Sequence, residues 1–231
     1  MGFLAVSRNT RLLIRGGFFF LGWLAAGIAP AAPRMDFVPP AAGSYRLERI
    51  QKATEGAVLD ADGRHRRLSE FTRGRVTLLA FMYSSCADPN GCPYALTVMH
   101  MVKGELEKLP ETRGRVRFVS LSFDPVRDTP QVIALYGRDQ AGAAQHLAWD
   151  FLTTRSRREL LPILDGFGQD VGVDIDKASG KPVGTYSHVL KVFLIDRKRI
   201  VREIYTTDYL LPAMVLNDIK TLLMEGGAKL K

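Results

Sequence analysis

A chain of 231 residues, 46% hydrophobic and 24% charged, has the composition of an ordinary globular protein and the length to bury one good-sized core. A net charge of +8 and a pI near 9.7 would suit nucleic acid, but the cations are scattered in ones and twos with no aromatic-interleaved RNA-binding signature. No nucleic-acid partner is therefore expected; the basic residues read as a solvated surface, with an acidic partner or an anionic membrane face as the functional alternative.

Residues 1–32 read as a signal peptide or N-terminal membrane anchor. Arg8, Arg11 and Arg15 precede the apolar run GGFFFLGWLAAGIA (16–29), and Ala29-Pro30-Ala31 supplies a small-x-small cleavage pattern. The run rises about 21 Å as a helix, short of the ~30 Å hydrocarbon core, which favours cleavage. An uncleaved anchor would need Leu12–Ile14 to join the span while Arg15 snorkels. Both readings place the remainder in the periplasm or another extracytoplasmic space, either released or anchored in the inner membrane. Residues 33–53, rich in Pro and Ala, read as an extended tether, and 54–231 as one domain.

Within that domain, VTLLAFMY (76–83) is a buried-strand run. PYALTVMHMVKGELEKL (93–109) has helical apolar spacing, with Pro93 suited to a first turn. VRFVSLSF (116–123) is a second strand, and 128–139 a helix with Asp128 or Thr129 as its cap. WDFLTT (149–154) is a short strand, and 156–168 a helix opened by Ser156 and Glu159 at capping-box spacing. Residues 188–196 and 199–205 read as a hairpin around Arg197-Lys198, and an amphipathic helix from Asp208 closes the chain. This order predicts an α/β thioredoxin-like sandwich: a central mixed sheet with helices on both faces.

Both cysteines, Cys86 and Cys92, fall where the first central strand meets a helix N-terminus. Such a pair can form a disulfide, hold a metal or do redox chemistry. Free backbone N–H groups and the helix dipole favour thiolate, so Cys92, just before Pro93, is expected to have a lowered pKa. Five residues separate the pair, and on a continuous helix a six-residue step turns through about 600°, putting the sulfurs on different faces. Asn90-Gly91 is a strong turn pair in which Gly tolerates positive φ, so the intervening ADPNG reads as a loop returning Cys86 towards Cys92. No phosphate loop, paired-His zinc motif, nucleophile-elbow serine or two-residue-spaced redox cysteine motif is present.

The segments FMYSSC…CPYALTVMHMVKGEL, FVSLSFDPVRDTPQVIALYG, WDFLTT and YSHVLKVFLIDRKRIV, in this order over roughly residues 54–225, resemble the SCO/SenC family of copper-binding, thioredoxin-like proteins. The resemblance implies a Cu(I)/Cu(II) site with ligands Cys86, Cys92 and His188, and a role as copper donor, or as reductant of client thiols, in assembling the binuclear copper centre of a respiratory oxidase. It implies a copper-receiving oxidase subunit or another periplasmic client as partner. Asp124 and Asp128, in DPVRDTP, become candidates to support the site from behind its ligands; alone, they would read as a turn residue and a helix cap. The sequence departs from the family at two points: the cysteine spacing, usually three residues, and Ser187, where an acidic residue usually precedes the histidine and could orient the imidazole.

Thiolates select Cu(I) and imidazole suits both copper states, so the donor types are consistent with this reading. The alternative is a periplasmic thiol-disulfide reductase needing only Cys86 and Cys92; a peroxidase and a disulfide-locked interaction module are lesser readings. Met99 reads as core, Met101 is ambiguous, and His100 is expected to face solvent or pack beside Met99. His65 and His146 are assigned to loops. Tyr83, Tyr186 and Trp149 are expected at the site's edge.

Overall fold

The structure, a computed structural model, describes residues 38–141 and 146–230; the leader and the first part of the tether lie outside the described residues. In chain order the elements are β1 (Gln51–Lys52), β2 (Ala57–Leu59), β3 (His65–Arg67), α1 (Leu68–Thr72), β4 (Val76–Met82) and α2 (Cys92–Glu107). After a 3-10 turn (Pro110–Thr112) come β5 (Val116–Ser122), α3 (Pro130–Ala141), β6 (Ala148–Leu152), α4 (Arg157–Phe167), β7 (Val171–Ile175), β8 (Pro182–His188), β9 (Val192–Ile195), β10 (Ile200–Tyr205) and α5 (Pro212–Glu225).

The main sheet runs β1-β10-β9-β4-β5-β6. β4, β5 and β6 are parallel, whereas β9 joins β4 antiparallel and β10 returns beside it. All seven residues of β4 are buried, as its unbroken apolar run requires of a strand covered on both faces. Strand alternation splits its side chains between two cores. Leu78 and Ala80 join residues of α2 and α5 on one side; Leu79 and Phe81 join residues of α1 and α4 on the other. The mixed sheet with helices on both faces is thus the architecture the element order predicts. Parallel pairing from Val76↔Val116 to Met82↔Ser122 brings the ends of β4 and β5 out at the same pole, from which the cysteine loop and the DPVRD loop emerge.

Two expectations are corrected in detail, and one ribbon is added. The strand expected over 188–196 is two pieces: His188 closes β8, and β9 begins at Val192. β8 pairs only with β7, in a ribbon outside the main sheet that the expected elements do not include; none of its side chains is fully buried, although Val171, Val173 and Ile175 alternate along β7. The last helix begins at Pro212 rather than Asp208, since N–H groups of Tyr209 and Leu210 bond back to Thr206 in a preceding turn.

The described lead-in, 38–50, contains no helix or strand but is fixed to the domain. Asn217 donates to the Pro40 carbonyl (2.8 Å), the Gly43 N–H to Thr221 Oγ1 (2.9 Å), the Tyr45 hydroxyl to Asp218, and Arg202 to the carbonyls of Leu47 and Glu48. No helix among the described residues is long and apolar enough to cross a membrane.

Candidate metal and thiol site

After β4 the chain makes two turns before α2. The Cys86 N–H bonds to the Tyr83 carbonyl (3.2 Å), and the Gly91 N–H to the Asp88 carbonyl (3.0 Å) while Asp88 Oδ1 accepts from the Asn90 N–H (3.0 Å). The segment between the cysteines is therefore a loop and not helix, as the spacing requires, and α2 starts one residue earlier than expected, at Cys92. Gly91 precedes it with φ −98°, so positive φ is not its role. A Cβ there would make only ordinary contact with Asp88, at 3.4 Å, so close approach does not require the glycine either.

Cys86 is half-exposed, Cys92 is 2% exposed, and both are free thiols within hydrogen-bonding reach of each other. Cys86 is also within reach of the Tyr83 hydroxyl. The expected lowering of the Cys92 pKa is not found: burial, reinforced by Cys86, pushes the thiol up to about 12. The backbone N–H groups of Tyr83 and of Cys92 itself favour the thiolate, but desolvation outweighs them.

His188 sits opposite Val171 at the end of the ribbon, its ring centroid 4.9 Å from that of Phe123 and 6.3 Å from that of Tyr83. Nδ1 and Nε2 are both buried without a hydrogen-bond partner. Buried polar atoms are normally satisfied, so an imidazole with two orphaned nitrogens fits a ligand not yet bound. The ring lines a cavity of about 310 Å³ together with Tyr83, Cys86, Asp88, Tyr186 and Thr207. The structure thus brings the two thiols together and places His188 in the same cavity as Cys86. Among the described residues no three His, Cys, Asp or Glu side chains already form a metal cage.

Asp124 and Asp128 are both buried behind this cavity. Asp128 does not act through its helix: its carboxylate accepts from the Ser84 N–H (2.9 Å), the Ser84 hydroxyl and the Ser122 hydroxyl (2.5 Å), tying the cysteine loop to the end of β5. Asp124 pairs with Arg127, whose guanidinium lies 5.9 Å from the Tyr83 ring centroid and 5.3 Å from that of Tyr186. Arg127 thereby links the DPVRD loop to the ribbon carrying His188. Sequence reasoning passed over it, although it lies inside the DPVRD motif; the ribbon it meets was not foreseen.

Tyr83 and Tyr186 do border the site, but Trp149 does not: it packs in the opposite core beside Phe118 and His100, and donates to Ser120 Oγ (3.0 Å). Met99 is core and Met101 exposed. His65 lies in β3, and His146 meets Thr112 Oγ1 at 3.1 Å, both away from the cavity.

The SCO1/SenC family profile matches residues 50–224, spanning the sheet, the cysteine loop and His188. The chain belongs to the SCO1/SenC family. Among solved structures, Arabidopsis thaliana ScoI with copper bound superposes with a TM-score of 0.61 at 17% identity, over 75% of this chain and 98% of the other. BsSco, described as a Sco-family cytochrome c oxidase assembly protein with a disulfide switch, superposes with a TM-score of 0.54 at 23% identity, over 75% and 94%. At these identities the likeness shows the thioredoxin-like fold. A Stutzerimonas stutzeri protein described as copper-binding is 37% identical over 68 residues, 29% of this SCO1/SenC chain and 31% of that protein, so the match spans under a third of that relative's length.

Proposed function

We propose that this SCO1/SenC protein is an exported copper metallochaperone. It takes copper as cargo on Cys86, Cys92 and His188 and delivers it to a copper-receiving subunit of a respiratory oxidase. The observation that carries the reading is the pairing of two free thiols at the β4–α2 junction with a histidine in the same cavity whose ring nitrogens are both buried and unpartnered. Two sulfurs and an imidazole suit Cu(I), and His188 alone can be replaced by a client's donor without disturbing the β4–α2 junction. The copper-bound Arabidopsis ScoI and the oxidase-assembly description of BsSco support cargo and client. The Arg-flanked apolar leader supports an extracytoplasmic location.

A Cu(I) titration of the reduced full chain against a competing chelator tests it. One tight equivalent is expected, lost in Cys86→Ser and Cys92→Ser and weakened at least tenfold in His188→Ala. Absence of tight binding in the wild type would overturn the copper reading.

One observation favours a second reading, a thiol-disulfide reductase: Cys86 lines the cavity while Cys92 is buried behind it. The Cys86 thiolate would attack a client disulfide and release one client thiolate. Cys92, losing its proton, would then displace the second, leaving the client reduced and a Cys86–Cys92 disulfide that an external dithiol resets. His188→Ala would leave this activity intact while weakening copper binding at least tenfold, which separates the two readings.

A further inference from the structure

The pole opposite the cysteines has an unbalanced charge. Arg49, Arg73, Arg113, Arg115, Arg197 and Lys198 are all exposed there, and none forms an ion pair among the described residues. The fold gathers them around the start of β4. The Gly74 N–H bonds to the Arg197 carbonyl (3.0 Å), joining the α1–β4 turn to the β9–β10 turn, and the Val76 N–H bonds to the Arg115 carbonyl (2.8 Å). Arg49, Arg197 and Lys198 line one depression with Val76. Of the carboxylates nearby, Asp196 and Glu225 are already held by the buried Arg202, and Glu48 and Glu111, close in sequence to Arg49 and Arg113, offset only part of the six cations. What looks scattered in the sequence is therefore one cationic surface, at the far end of β4 from Cys86.

We propose that this pole docks on anionic phospholipid headgroups and so presents the cysteine pole away from the bilayer. Charge complementarity is one argument: guanidinium groups without protein partners match phosphate, and each adds near a surface of anionic lipid. An apolar side chain beside the cations is the other. By Arg49 the chain has reached the cationic pole, where exposed Ile50 adds an apolar contact. The inference goes beyond the copper reading and does not depend on it.

Amide hydrogen exchange of the full chain mixed with vesicles of phosphatidylcholine alone, or with added phosphatidylglycerol, tests it. Slower exchange is expected at 73–76, 113–116 and 196–199 with the anionic vesicles only. That protection should be lost at high salt and in the combined variant Arg73→Gln, Arg115→Gln, Arg197→Gln, with residues 86–91 unaffected. At about fivefold per cation, the variant should lose on the order of 100-fold of the anionic increment in binding. Equal exchange with the two lipids, protection at the cysteine loop instead, or slower exchange with DNA or an acidic polypeptide but not with the vesicles would overturn the proposal.

Discussion

The carboxylate of Asp128 illustrates how far a single buried acceptor shapes this site. Three hydrogen bonds from Ser84 and Ser122 converge on it, and without it the Ser84 N–H and both hydroxyls lose their acceptor. Asp128→Ala should lower unfolding stability by about 1–3 kcal/mol in denaturant titrations. It should also weaken copper binding, because the loop carrying Cys86 loses its tie to β5. Unchanged affinity in a folded Asp128→Ala protein would show that the loop holds its shape alone. Tyr83→Phe isolates a second effect. The hydroxyl lies within reach of the Cys86 sulfur and helps to hold it towards the cavity, so the variant should react several-fold more slowly with a small aromatic disulfide at fixed pH; an unchanged rate would remove Tyr83 from the site's chemistry.

Among the elements, α4 shows local signals agreeing with tertiary structure. Ser156 Oγ accepts from the Glu159 N–H at the start, and Gly168 ends the helix at φ +62° with nothing near the place a Cβ would occupy. Gly168→Ala should therefore cost about 1–2 kcal/mol from the left-handed backbone alone, measurable by thermal or denaturant unfolding. A neutral substitution would mean that the backbone shifts out of that region. The central strands, α2 and α4 were legible because apolar periodicity, Pro93 and Ser156 act locally. The β7–β8 ribbon was not. β7 does alternate, with Val171, Val173 and Ile175 at every second position, but Ile175 is exposed and Val171 only half-buried, so the alternation does not mark a strand that packs outside the core. His188, expected at the start of a core strand, instead ends that ribbon. The Cys92 pKa departs from expectation for a related reason: the helix-terminus effect is visible in sequence, whereas the 2% exposure that overrides it comes from the core of α1 and α4 in which the side chain packs.

At the scale of the whole molecule, the two ends of β4 carry different chemistry: soft donors at one, hard cations at the other. The lead-in runs between them along α5 and is secured by Asp218, which accepts from Tyr45 and from Tyr205 (2.6 Å). Burial raises the Asp218 carboxyl above its ordinary 3.8, despite the two hydroxyls that favour its ionised form. The folded chain thus holds this proton more tightly than the unfolded one. The resulting stability is fully present below about 3.8 and is lost as the pH rises through the folded pKa. Wild type should accordingly lose stability relative to Asp218→Asn as the pH climbs through that window, followed by denaturant unfolding at each pH; a relative gain would mean that the two hydroxyls outweigh burial.

The ligand set itself is tested most directly by copper K-edge X-ray absorption on the full chain loaded with one equivalent of Cu(I), beside His188→Ala. Two sulfur scatterers and one nitrogen are predicted for the wild type, with the nitrogen lost in the variant. A sulfur-only shell, unchanged by His188→Ala, would contradict the account.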